Sequence, residues 1–302
     1  VRPVRESLAG DRIDRVMGIV NGTTNYVLDA MARTGASFDD ALSTAQQLGY
    51  AEADPTADVE GHDAAAKAAI LASLAFHSRV SLADVHCEGI TSVSSQDIAA
   101  AERMGRTIKL LSIVERVPGQ DGERISARVY PALISSEHPL ASVSEAFNAV
   151  FIEADAAGSL MFYGQGAGGA PTASAVLGDV VSAARQRLRG GAGLRESHYA
   201  ALEQIPLEQL RSAFYVSLRV QDRPGVLAEI AGTLSSHGIS ISTIHQQLIE
   251  EDEDGSASGQ GSAHIGITTH RALESSMTAV LDVFSSTSTV LGVDSVLRIE
   301  GE

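Results

Sequence analysis

The 302-residue chain sets 38 acidic against 22 basic residues, a formal charge of -16, which argues against a nucleic-acid surface or an anionic membrane as partner. Its single cysteine, Cys87, excludes an intrachain disulfide and a thiolate metal cluster, and no run reaches the roughly 18 apolar residues of a membrane span. With 44% hydrophobic and 20% charged residues, the composition is that of a globular protein long enough for two cored domains, and the cytoplasm is the simple expectation. The chain opens on Val1 with residues that read like the middle of a domain, so a fragment or a processed product is expected.

Arg12 to Val20 reads as a strand that runs into a tight turn at Asn21 and Gly22. Thr23 or Thr24 is then expected to cap a helix ending near Gly35, and Ser37 to cap a second one that stops at Gly49. Between Gly49 and Lys67 stand Glu52, Asp54, Asp58, Glu60 and Asp63, and the run from Gly61 opens a strong helix former. Asp63 and Lys67 lie four apart, one turn along one face, with the acid at the end where a helix tolerates negative charge. Only two of the basic residues are lysines, Lys67 and Lys109, and lysine, unlike arginine, can titrate toward neutrality in a desolvated site. Taken alone, the cluster is equally well a solvated acidic loop with an ordinary helix pair. A calcium loop does not fit its spacing, and no metal is expected there.

The helix over 62–77 is apolar nearly all round and is expected to be buried. A short helix over 94–104 follows, then a hairpin of strands over 107–117 and 123–133, then strands over 149–154 and 159–163. Gly164, Gly166, Gly168 and Gly169 precede Pro171 and a long helix. Such a loop either exposes backbone N–H groups to an anion or a flat ring, or is a flexible turn before a core helix. Its glycines match a dinucleotide fingerprint only weakly, because the strand before them is short and the expected downstream acid is missing. Residues 190–212 read as a linker. From 213 to 302 six elements follow in the order βαββαβ, interrupted by an acidic low-complexity stretch over 250–263.

Three stretches, Gly18 to Leu28, Leu48 to Leu71 and Gly166 to Val181, together resemble homoserine dehydrogenase, and the tail resembles an ACT domain, as in the longer forms of that family. The resemblance implies an α+β fold, with a catalytic and dimerisation domain of mixed and antiparallel sheet over 1–189 and a ferredoxin-like ACT domain over 213–302. It implies interconversion of L-homoserine and L-aspartate 4-semialdehyde with NAD(H) or NADP(H), on the path to threonine, methionine and isoleucine.

By the same resemblance Lys67 is the catalytic lysine, Glu52 holds the substrate amine, Asp58 assists and Asp63 is a substrate-site acid. Gly49 and Gly168 approach the cofactor. The family's N-terminal Rossmann region, with its dinucleotide fingerprint and monovalent-cation site, is not found here, so the expectation is a piece that binds cofactor poorly and is inactive alone. A non-catalytic assembly and threonine-sensing fragment is the alternative. The ACT resemblance further implies self-association, as a homodimer or homotetramer, and an effector, L-threonine, held by Asp222, Gly225, Gly238 and Ile239.

Overall fold

Strand β1 (Ile13–Ile19) sits at the centre of a sheet because its apolar residues Val16, Met17 and Ile19 are buried from end to end. The structure, a computed structural model, describes residues 1–119, 122–191, 199–248 and 261–301. The expected turn near 119–122, the linker and the acidic stretch over 250–263 lie partly outside the described residues. The chain forms two compact units. One comprises Val1–Ala99, Lys109–Tyr130 and Ser136–Gln204, and the other Ala100–Ile108, Pro131–Ser135 and Ile205–Glu302.

Along the chain β1 leads into helix α1 (Gly22–Thr34), then α2 (Phe38–Gln47), the single turn α3 (Thr56–Val59), α4 (His62–Phe76) and α5 (Ser95–Arg103). Strands β2 (Arg106–Gly119), β3 (Gly122–Ser135), β4 (Phe147–Ala154) and β5 (Gly158–Gln165) follow, then helix α6 (Gly169–Leu188). The sheet runs in the order β5-β4-β1-β2-β3. It is antiparallel where β1 meets its neighbours, with Val16 opposite Val114 on one side and Ile152 on the other.

Three details differ from the sequence reading. Asn21, not Thr23 or Thr24, caps α1, its side chain accepting the Thr24 N–H at 2.9 Å, because a cap must precede the first helical residue, Gly22. Helix α6 starts at Gly169, two residues before Pro171. Helix α4 is not buried all round: His62, Ala66 and Ile70, each four residues on, form an exposed stripe, while Ala64, Ala65, Ala68 and Ala72 pack inward.

The second unit contains β6 (Arg211–Gln221), α7 (Val226–Ser236), β7 (Ile241–Leu248), β8 (Ser262–Thr269), α8 (Glu274–Ser286) and β9 (Val290–Glu300). Its strands run in the order β9-β6-β8-β7 and pair antiparallel. Phe214, Val216, Leu218 and Val220 alternate along β6 and meet Val226, Ile230 and Leu234 of α7 and Met277, Val280 and Phe284 of α8 in one core. Both helices therefore cover the same face, as the βαββαβ order requires. Among the described residues no helix is long and apolar enough to cross a membrane.

Candidate functional site

Lys67 sits one turn into α4, and its Nζ donates to Asp63 Oδ2 at 2.6 Å and to the carbonyl of Val20, just past β1, at 2.9 Å. The i,i+4 spacing sets the first contact, and the packing of α4 against β1 sets the second. Asn21 completes the group: its Nδ2 donates to Asp58 Oδ1 at 2.6 Å and to Asp63 Oδ2 at 2.9 Å. The α1 cap thus also joins two acids that the chain brings from 37 and 42 residues away.

These residues line a cavity of about 540 Å³ in the first unit, together with Gly49, Glu52, Glu145, Phe147, Asn148, Gly166 and Gly168. Every substrate- and cofactor-site residue expected from the sequence of this unit is on its wall. Glu52 is placed by the loop after α2, where Thr23 Oγ1 donates to the Tyr50 carbonyl at 2.6 Å and Gln46 Nε2 to the Glu52 carbonyl at 3.1 Å. A catalytic lysine set among acids at a helix start is expected from the sequence to be a buried ammonium, and the structure corrects this: the Lys67 side chain is 43% exposed, beside the α4 face at 62, 66 and 70 that turns to solvent.

The glycines act through backbone shape. Gly49 has φ 79° and Gly168 φ 124°, conformations that residues with a Cβ rarely adopt. A Cβ on Gly166 would stand 2.0 Å from Asn148 Nδ2, which itself donates to the Val20 carbonyl at 3.2 Å. The loop over 165–168 therefore lies bare on the cavity wall at the start of α6, whose N-cap, Gly168, offers no side-chain cap to the first N–H groups.

Two residues of the cavity, Asn21 and Asn148, had not been expected there from the sequence, and Lys109 lies outside its lining. Asn21 and Asn148 are polar residues at element ends whose partners are distant in the chain, so only the fold reveals them. Lys109 was visible as a lone charge between Ile108 and Leu110 in an apolar strand. It is 1% exposed, and burial lowers its pKa to about 8 against a smaller opposing pull from Asp29.

In the second unit Gly225 (φ 96°) begins α7 and Gly238 follows its end, roughly 16 Å away along an 11-residue helix at 1.5 Å per residue. Within one chain these two ends do not meet in one pocket. The Ile239 side chain is 3% exposed and belongs to the core, and Asp222 donates its backbone N–H to the Gly261 carbonyl at 2.7 Å. A separate cavity of about 480 Å³ in this unit is lined by Arg106, Ser242, Thr243, His245, Thr268 and Arg271 among others.

A lysine and carboxylates share one cavity with bare glycine backbone, the layout of a catalytic unit, and a small βαββαβ unit follows it along the chain. A homoserine dehydrogenase family model matches residues 1–181 and an ACT domain model residues 214–259. The chain belongs to the homoserine dehydrogenase family. It is 54% identical over 301 residues to the homoserine dehydrogenase of Corynebacterium glutamicum and 55% identical over 302 residues to that of Mycobacterium tuberculosis, alignments that cover 99% and 100% of this chain. A crystal structure of a homoserine dehydrogenase from Thiobacillus denitrificans superposes on 99% of the chain with a TM-score of 0.89 at 37% identity, covering 67% of that structure.

The chain spans about two thirds of the length of these relatives, 65% of the first and 68% of the second. The comparisons correct the expectation of a deficient form, inert for want of a nucleotide-binding region. The family match begins at residue 1 and the relatives align along 99% to 100% of this chain, which is thus homoserine dehydrogenase sequence throughout. The expectation leaned on a Rossmann fingerprint not found in the sequence and on where that sequence begins, and a first residue says nothing about the extent of a protein.

Proposed function

We propose that the cavity of the first unit is the site at which L-homoserine and L-aspartate 4-semialdehyde are interconverted with NAD(H) or NADP(H), with Lys67 moving the proton on the reacting oxygen. The observation that carries this reading is the pair of contacts at Lys67 Nζ, 2.6 Å to Asp63 and 2.9 Å to Val20, on the wall that also holds Glu52. An ammonium has three N–H donors, and two are committed to these partners. The third serves a substrate oxygen, donating as charge gathers there during reduction and, in reverse, leaving the amine to accept the hydroxyl proton.

Glu52 takes the substrate ammonium, and Asp58 supports the group through Asn21. Gly49 and the loop over 165–168, with Gly168 opening α6, would hold the dinucleotide. When bound, the dinucleotide supplies or accepts the hydride. Lys67→Ala in the intact enzyme is expected to lower kcat by about 10²-fold or more, the scale of lost general acid–base catalysis. Glu52→Gln is expected chiefly to raise the KM for homoserine. Near-wild-type turnover in the lysine variant refutes the assignment.

The ACT unit is proposed to sense L-threonine between two copies of the chain, with Asp222 and Gly225 of one copy facing Gly238 of the other; Ile239 is left out, because its side chain is in the core and its N–H donates to the Leu234 carbonyl at 2.9 Å. What supports this is their location at opposite ends of α7, which lets them meet only across a pair. The N–H groups at the helix start suit the effector's carboxylate. Calorimetric titration of L-threonine into the intact chain, with its oligomeric state followed by sedimentation, tests both parts. Absence of heat up to millimolar ligand reduces the unit to a dimerisation module.

A further inference from the structure

Lys109, the lysine that the proposed chemistry does not use, lies within β2 and is almost fully buried. Its Nζ donates to Asn25 Oδ1 at 3.0 Å and to the Val143 carbonyl at 2.6 Å. Asn25, also 1% exposed in the first turns of α1, turns its Nδ2 toward three carbonyls, those of Val143 at 3.2 Å, Glu145 at 2.9 Å and Phe147 at 3.3 Å. One turn further along α1, Asp29 Oδ2 accepts the Glu145 N–H at 3.1 Å.

These contacts converge on the segment over 143–147 that carries Glu145, Ala146 and Phe147 into the wall of the cavity, with Asn148 next to them. Within it Glu145 holds φ 54°, a left-handed conformation that a non-glycine residue keeps only where its surroundings impose it. Asn148 in turn shares the Val20 carbonyl with Lys67 and blocks any side chain at Gly166. The buried cluster is therefore connected to the lysine, the acids and the glycine loop through one short piece of backbone.

Packing alone does not explain an ammonium here. A methionine would fill the same space without the cost of desolvating a charge. What the ammonium adds is direction: it fixes the Asn25 amide so that its two N–H groups face the carbonyls, an orientation a free amide would not keep. We propose that Lys109 is a positioning residue of the site, acting through Asn25 to hold the 143–148 segment in the shape that substrate and cofactor require. The inference rests on the reading of the cavity given above.

The test is a double-mutant cycle in the intact enzyme with Lys109→Met, Asn25→Ala and the pair, measuring kcat and KM for homoserine and for the dinucleotide, with urea unfolding in parallel. Each single variant is expected to raise at least one KM by about tenfold or more while kcat falls less, the pattern of a displaced binding wall. The pair is expected to be no worse than the worse single, because both act through the same segment. A lower urea midpoint with both KM values unchanged marks a merely structural lysine and overturns the proposal, as does full additivity. Should Lys109→Met not fold, Asn25→Ala decides by the same KM criterion. If Lys67→Ala retains its turnover, the reading of the cavity fails instead, and the two failures are told apart.

Discussion

Asn21→Asp is the most revealing single change, because it alters the charge of the site and almost nothing else. The variant keeps its shape, and aspartate caps a helix about as well as asparagine, so the α1 cap drops out of the comparison. What is lost is two N–H donors to carboxylates, the 2.6 Å bond to Asp58 and the 2.9 Å bond to Asp63. Hydrogen bonds to charged groups contribute about 1.5–3 kcal/mol each, and discounting for the partial exposure of the acids leaves about 2–4 kcal/mol for the two. A third carboxylate about 3 Å from the others would add roughly 5 kcal/mol of repulsion per pair at an effective dielectric of about 20, so the variant instead takes up a proton. The folded form then has a raised carboxyl pKa, and stability present at low pH is lost as pH rises through that value. Urea unfolding of wild type and variant at pH 5 and pH 8 reads this directly. The deficit should be larger at pH 8 by more than about 1 kcal/mol, with kcat/KM down about tenfold or more. Equal deficits at the two pH values, or wild-type stability at pH 8, would show that Asn21 does not bridge the acids.

Three further outcomes are expected. Because burial lowers the Lys109 pKa from 10.5 to about 8, the folded state binds fewer protons than the unfolded one between those values, so the desolvation cost is full below about pH 8 and fades toward pH 10.5. Wild type should gain up to about 3 kcal/mol relative to Lys109→Met over that window in urea titrations, and parallel curves would contradict it. Gly89→Ala puts a Cβ 2.3 Å from the Val59 carbonyl and 2.5 Å from Glu60 Cα, so the backbone carrying Asp58 must shift. A loss of about 1–3 kcal/mol with a raised homoserine KM is expected, and an unchanged KM with unchanged stability counts against the tight approach. Glu274→Ala strips the buried Arg298 of its two-point partner, with Nε–Oε1 at 2.9 Å and Nη2–Oε2 at 3.0 Å. The second unit should then lose about 3–5 kcal/mol, seen as an early transition in urea unfolding of the intact chain.

Periodicity made most elements legible. Strand β6 alternates, helices α7 and α8 carry apolar faces at helical spacing, and the βαββαβ order alone fixes their side of the sheet. The motif from Gly49 to Lys67 pointed to the cavity because its residues are close in sequence, and a one-turn Asp63 to Lys67 contact needs no tertiary information. The far wall was only half legible. Gly166 and Gly168 announced a bare loop, but Glu145 and Asn148 are ordinary residues until the segment leading into β4 and the strand's own start carry them into the cavity wall. Asn21 shows the same limit: capping preference ranks asparagine, serine and threonine together, and its bridge to Asp58 and Asp63 spans contacts no local pattern encodes. The solvent stripe on α4 was missed because alanine at 66 looks apolar on paper yet needs no burial.

The way the hydrogen bonds are distributed assigns separate work to the carboxylates of the cavity. Asp63 already accepts from Lys67 and Asn21 through one oxygen, and Asp58 accepts from Asn21. Glu52, by contrast, has no side-chain hydrogen bond among the described residues, although it lines the same cavity. A carboxylate left without a protein partner is the one able to meet an incoming ammonium, whereas a partnered one would first have to release what it holds. The half-exposed Asp63–Lys67 i,i+4 pair contributes only about 0.3–0.5 kcal/mol to stability, so its value is orientation of the Nζ donors. Losing the Asp63 charge should therefore depress kcat, and losing the Glu52 charge should raise KM. If Asp63→Asn and Glu52→Gln instead changed the same constant, the division of labour argued from these contacts would be wrong even with Lys67 correctly placed.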